Sequence, residues 1–144
     1  MSENSRGYKH NISLFFSRGV FVKKIFLVDD DNIHLSIAAT ILQEKYEITA
    51  VKSGHEALME IVKGNIPDLV LLDIVMAGMD GWETYMNLKG IALLRDIPIA
   101  FLTSSDAKED REYARKLGSA DYITKPYHGA DLLKRVEAML KKVA

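Results

Sequence analysis

The chain has 144 residues, 48% of them apolar and 27% charged, which suits one ordinary domain with a real core. Its formal charge of -1 excludes broad electrostatic attraction to nucleic acid, and the absence of cysteine excludes disulfides and thiolate metal sites. No apolar stretch reaches the roughly 18 residues of a membrane span, so no membrane insertion is expected, and the cysteine-free composition suits a reducing cytoplasm.

Residues 1–22 read as an N-terminal extension, distinct from a domain over 23–144. The extension mixes Arg6, Lys9, His10 and Arg18 with Ile12, Leu14, Phe15, Phe16 and Phe21, and its apolar part is broken by Ser13, Ser17 and Gly19. That makes a poor secretory signal. Its basic, serine-bearing character faintly resembles a transit peptide, and a docking helix or a start site extended upstream of Val20 or Val22 are the other expectations.

From Lys24 onward, short apolar runs alternate with segments of helical period. A buried strand over 25–28 ends in Asp29-Asp30-Asp31, and Asn32 is placed to cap a helix carrying Leu35, Ala38, Ile41 and Leu42 inward. A second strand covers 46–51. Ser53-Gly54-His55-Glu56 matches a capping box that opens a helix with Ala57, Leu58, Ile61 and Val62 inward. The third strand covers 68–73 and ends in Asp73. The loop Ala77-Gly78-Met79-Asp80-Gly81 leads into a helix from about Trp82.

A fourth strand over 97–103 ends in Thr103. Ser105 or Asp106 should cap the next helix, with Gly118 closing it and Ala107, Tyr113, Ala114 and Leu117 facing inward. With so few apolar residues, that helix should be the most weakly held. A fifth strand over 121–125 ends in Lys125, before Pro126, where a cis peptide could turn the lysine inward. The last helix places Leu132, Leu133, Val136, Met139 and Leu140 on one face.

Five strands alternating with five helices predict a doubly wound α/β domain: a five-stranded parallel sheet of order 2-1-3-4-5 covered on both faces. In that arrangement the first and third strands flank the switch point, where ligands bind at the carboxyl ends. Asp29, Asp30 and Asp73 therefore converge. At about 4 Å two like charges repel by roughly 4 kcal/mol at an effective dielectric of about 20, so such a cluster shifts its pKa values or recruits a cation. An all-oxygen donor set suits Mg²⁺, with Mn²⁺ as a substitute. Lys125 and Thr103 add an ammonium and a hydroxyl, completing a cradle for a phosphoryl group that an aspartate could accept as nucleophile.

Blander roles exist for each residue alone. The aspartate triplet could be a solvated helix start, Asp73 a turn residue, Thr103 a strand former and Tyr122 core. His10, His34, His55 and His128 show no metal-ligand spacing and suit the surface.

Four segments carry a resemblance: Phe26-Leu27-Val28-Asp29-Asp30-Asp31, Leu71-Leu72-Asp73-Ile74-Val75-Met76 with the glycine loop after it, Phe101-Leu102-Thr103-Ser104, and Asp121-Tyr122-Ile123-Thr124-Lys125-Pro126. In this order and spacing, residues 24–143 resemble the receiver domain of two-component response regulators, a flavodoxin-like fold. The resemblance implies that Asp73 accepts a phosphoryl group from a sensor histidine kinase or histidine phosphotransfer protein. Asp30 would bind Mg²⁺ directly and Asp29 through water, with the Val75 carbonyl completing the set. Lys125 would bridge to the phosphoryl group, Thr103 would move toward it, and Tyr122 would swing inward, altering the face of helix 4, strand 5 and helix 5.

The sequence departs from that family at Ala77, where proline is usual and a looser loop is expected, and at Ser104, where alanine is usual. Val75 and Ser105 stand where the family tunes phosphoryl lifetime, and an apolar Val75 predicts slow to moderate self-dephosphorylation. The expectation is a single-domain regulator in a phosphorelay, monomeric or dimerising on phosphorylation, acting through an unknown downstream protein and not a conventional turnover enzyme. Two alternatives stand beside it. One is a haloacid-dehalogenase-like phosphohydrolase using Asp29; the other is an interaction module that works without phosphorylation.

Overall fold

The computed structural model describes residues 22–142; the three readings offered for the N-terminal extension fall on residues outside them. Five strands, β1 (Lys24–Val28), β2 (Glu47–Val51), β3 (Leu69–Leu72), β4 (Ile99–Thr103) and β5 (Tyr122–Thr124), form one sheet of order β2-β1-β3-β4-β5. Every pairing is parallel, in the predicted order. The helices are α1 (Asn32–Leu42), α2 (Gly54–Val62), α3 (Gly81–Lys89), α4 (Lys108–Leu117) and α5 (Gly129–Lys141), with a 3₁₀ turn at Ala92–Leu94.

Alternation along the strands divides the core into two layers. Ile25, Leu27, Leu69, Leu71 and Leu102 point toward α1 and α5, where Leu35, Leu42, Leu132, Val136 and Met139 meet them. Phe26, Val28, Val70, Leu72 and Phe101 point the other way, toward Ala57, Ile61, Tyr85, Leu88 and Ala114 of α2, α3 and α4. Strands buried on both faces explain the continuous apolar runs.

Several local details differ from the sequence reading. Asp31, not Asn32, caps α1: its Oδ1 accepts from the N–H groups of Ile33 and His34 at 2.9 and 3.0 Å. Ser53 does cap α2, but Glu56 reaches past it to accept from the Lys52 N–H at 2.6 Å. Val62 is 77% exposed because it ends α2 on the side turned from the sheet. Neither Ser105 nor Asp106 caps α4. Its N-cap position is Ala107, without a side-chain bond, and Ser105 Oγ instead donates to Asp110 Oδ2.

The expected weak hold of α4 is visible in its packing. Ala114 is its one fully buried residue, Leu117 is partly packed, and Tyr113 lies outward. Gly118 closes the helix in the left-handed region at φ 89°, a conformation that glycine adopts without a Cβ penalty.

Candidate functional site: an acidic pair on one buried lysine

The parallel ladder brings the acidic residues together. Asp29 lies one residue past β1, and its N–H continues the ladder to Val51 O at 3.1 Å; Asp73 lies one residue past β3 and does the same to Val28 O at 2.9 Å. Both carboxylates are therefore held at one level of the sheet and are buried, at 6% and 8% exposure. Across the sheet, the Lys125 N–H bonds Thr103 O at 2.8 Å, which anchors the lysine beyond β5. The Lys125–Pro126 peptide is cis, as the sequence suggested.

The ammonium of Lys125 holds the pair. Its Nζ lies 2.5 Å from Asp29 Oδ2 and 3.5 Å from Asp73 Oδ2, with all three side chains about nine-tenths buried. The other oxygen of each carboxylate takes a backbone donor: Asp31 N–H reaches Asp29 Oδ1 at 2.9 Å, and Ile74 N–H reaches Asp73 Oδ1 at 2.7 Å. Two buried carboxylates on one ammonium leave an excess negative charge. Burial raises the Asp29 pKa above its ordinary value, against the pull of the Lys125 and Asp31 bonds, and the charge of Asp73 adds to the rise.

Asp30 stands apart from this pair. It is exposed, and its Oδ2 accepts from the Ala77 N–H at 3.0 Å, tying the β1–α1 loop to the β3–α3 loop. The loop after β3 is thus tied at Ala77, where a looser segment was expected. Asp73, Ile74 and Gly81 meet closely as α3 begins. A Cβ at Gly81 would collide with the Asp73 carbonyl oxygen and Ile74 Cα, so glycine is required there.

Among the described residues no three His, Cys, Asp or Glu side chains are arranged to hold a metal ion. The donor chemistry nonetheless fits a hard cation, since Asp29, Asp30, Asp73 and the Val75 carbonyl offer oxygen alone. The Val75 side chain is 72% exposed at the rim.

His34 was assigned to the surface by spacing, yet its Nδ1 lies 3.0 Å from Lys125 Nζ and 3.7 Å from Asp29 Oδ2. Its place in the first turn of a helix that starts at the acidic triplet is the signal that could have marked it. A cleft of about 340 Å³ opens beside it, lined by His34, Ile37, Ser104, Lys125, Pro126 and Tyr127.

Thr103 is fully buried, and its Oγ1 accepts from the Ser105 N–H at 3.4 Å. Tyr122 already lies inward at 8% exposure. Its hydroxyl donates to the Ser105 carbonyl oxygen at 2.8 Å, and the Arg111 guanidinium sits 5.0 Å from its ring centroid. One loop, 104–107, therefore touches both expected switch residues.

The model of the response regulator receiver domain matches residues 25–137, and the chain belongs to that family. The heme response regulator HssR of Staphylococcus aureus (strain bovine RF122 / ET3-1) is 34% identical over 116 residues, covering 81% of this chain and 50% of HssR. Response regulator PleD of Caulobacter vibrioides (strain NA1000 / CB15N) is 33% identical over 120 residues, covering 82% of this chain and 26% of PleD. The chain thus spans half or less of the length of these two relatives. A CheY-like receiver domain protein from Methanospirillum hungatei JF-1 superposes with a TM-score of 0.78 at 27% identity, covering 85% of this chain and 97% of that one. The family match favours the receiver reading over the haloacid-dehalogenase one.

Proposed function

We propose that Asp73 accepts a phosphoryl group from a phosphohistidine on a sensor histidine kinase or histidine phosphotransfer protein. The observation that carries this reading is the buried Lys125 ammonium shared by Asp29 and Asp73. It leaves one carboxylate in excess beside a cation able to pair with phosphoryl oxygens. An Asp73 carboxylate oxygen forms the new bond to phosphorus while the bond from phosphorus to the donor imidazole breaks; that bond's electron pair stays on the nitrogen, and the imidazole leaves neutral with its proton on the other ring nitrogen. The product is an acyl phosphate on Asp73.

Asp29, Asp30, Asp73 and the Val75 carbonyl would hold Mg²⁺, or Mn²⁺ in its place. When bound, that ion supplies charge compensation for the phosphoryl oxygens. Lys125 shifts from Asp29 to the incoming group, and the Thr103 hydroxyl turns from Ser105 N–H toward it. Because Tyr122 is bonded to the same residue, Ser105, a movement of Thr103 reaches α4 through one loop. Output then passes through the face of α4, β5 and α5 to a protein partner or a second copy. Slow to moderate loss of the phosphoryl group to water closes the cycle.

Incubation with acetyl phosphate and Mg²⁺, followed by intact mass, tests the chemistry. One added phosphoryl group is expected in the native protein and none in Asp73→Asn. Equal labelling of the two proteins would reject Asp73 as acceptor.

A further inference from the structure

Each of the three site aspartates has one oxygen on a backbone N–H, but the donors differ in origin. Asp29 uses Asp31 and Asp73 uses Ile74, both neighbours in sequence, whereas Asp30 uses Ala77, 47 residues away on another loop. The Ala77 bond is thus the one of the three that opens if the two loops move apart. It also falls on the exposed aspartate, the one outside the lysine-bound pair.

We propose that the Ala77 amide is a latch that competes with the divalent cation for Asp30 and so sets how tightly this chain binds it. This rests on the reading of the acidic residues as a cation site. In the latched arrangement no three acidic side chains are grouped for a metal. Asp29 and Asp73 are already joined through Lys125, so Asp30 is the ligand that has to come in. The bond engages Asp30 Oδ2 alone, but it holds the carboxylate where it is not grouped with the pair, so moving Asp30 in lengthens or breaks it, and that cost is subtracted from cation affinity. Mg²⁺ is exacting in this respect, because it accepts little departure from octahedral geometry.

The latch depends on the residue type at 77. Ala77 has no positive φ, its side chain is exposed, and its N–H is spent on Asp30. Proline lacks that donor and would remove the bond while leaving the acidic residues in place. Valine keeps the donor and has room at an exposed position.

Calorimetric titration of the unphosphorylated full chain with MgCl₂ tests this directly. Ala77→Pro should bind Mg²⁺ about fivefold more tightly than the native chain, the scale of one charge-assisted hydrogen bond weakened by water, and Ala77→Val should match the native chain within about twofold. A second readout uses the native chain alone: the Ala77 amide proton, followed by NMR, should exchange faster with solvent at Mg²⁺ saturation. Unchanged or weaker binding in a folded Ala77→Pro overturns the latch, as does an Ala77 amide that stays protected at saturation. If Ala77→Pro does not fold, the amide measurement decides. Unchanged affinity with normal acetyl phosphate labelling of Asp73 removes the latch and leaves the phosphoacceptor reading intact; no Mg²⁺ binding by any form overturns both the latch and the cation site.

Discussion

Two lysines stand at opposite ends of the sheet, each among acids, and their surroundings differ in burial and in charge balance. Lys24 opens β1. Its Nζ bonds Asn65 Oδ1 at 2.5 Å and pairs with Glu47 at 3.5 Å, where the two side chains are 27% and 21% exposed. Asn65 passes its own amide protons to Thr49 and Glu60, so that end is a network of paired, partly wet groups. Lys125, beyond β5, sits with two carboxylates and an imidazole at about 9% exposure. The residue types are similar, but at the second end charge is both buried and unequal in sign. Desolvation and imbalance together, rather than the presence of charged residues, set the two ends apart.

Replacing each lysine with methionine gives the largest expected contrast. Lys125→Met leaves two buried carboxylates without a counter-ion and should destabilise the fold by about 3 kcal/mol at neutral pH, a loss that Mg²⁺ partly restores. Lys24→Met removes a partly exposed pair and should cost no more than about 1 kcal/mol, with no Mg²⁺ dependence. Urea denaturation with EDTA and with Mg²⁺ reads both. Equal losses, or a Mg²⁺ response at Lys24, would erase the distinction between the two ends.

A smaller effect concerns Asp29. Its folded pKa is raised above 3.8, so the native state holds its proton more tightly than the unfolded chain does. The resulting penalty is absent below pH 3.8, grows as pH rises through the interval up to the folded value, and is complete above it. Asp29→Asn should therefore be more stable than the native chain at pH 7 without Mg²⁺, with the advantage vanishing toward pH 4. Urea midpoints measured from pH 4 to 7 in EDTA check the sign. An advantage that grows on acidification would contradict it.

Much of this arrangement could be read before any coordinates. Runs such as 25–28 and 69–72 are legible because strands buried on both faces have no polar side, and the helices between them force parallel pairing. The meeting of Asp29 with Asp73 follows from the strand order alone. What was hidden depends on where side chains turn once the elements pack. Asp31 and Asn32 are equally good caps in sequence, but the backbone is still extended at Asp31 and helical from Asn32, which makes Asp31 the cap. Val62 has the right period but lies at a helix end, where nothing covers it. The contact of His34 with Lys125 joins residues 91 apart, and the bond between Asp30 and Ala77 uses a backbone proton that no side-chain pattern reveals. The Tyr122 hydroxyl likewise donates to a backbone carbonyl, that of Ser105, which no side-chain pattern reveals.

The smallest effect lies at the rim of the Lys125 end and tests whether the proposed phosphoryl lifetime is separate from charge. The Val75 side chain is 72% exposed and, being apolar, has no group to orient an attacking water. Asparagine adds a donor and an acceptor at the same place without entering the buried pair. Val75→Asn should change self-dephosphorylation of Asp73 by about threefold, equivalent to less than 1 kcal/mol in the barrier, while the urea midpoint stays the same. Decay of the phosphoryl mass after removal of acetyl phosphate measures it. A rate unchanged by the substitution would assign the lifetime to the buried charges around Lys125, and a shifted urea midpoint would show that the rim and the pair are one unit.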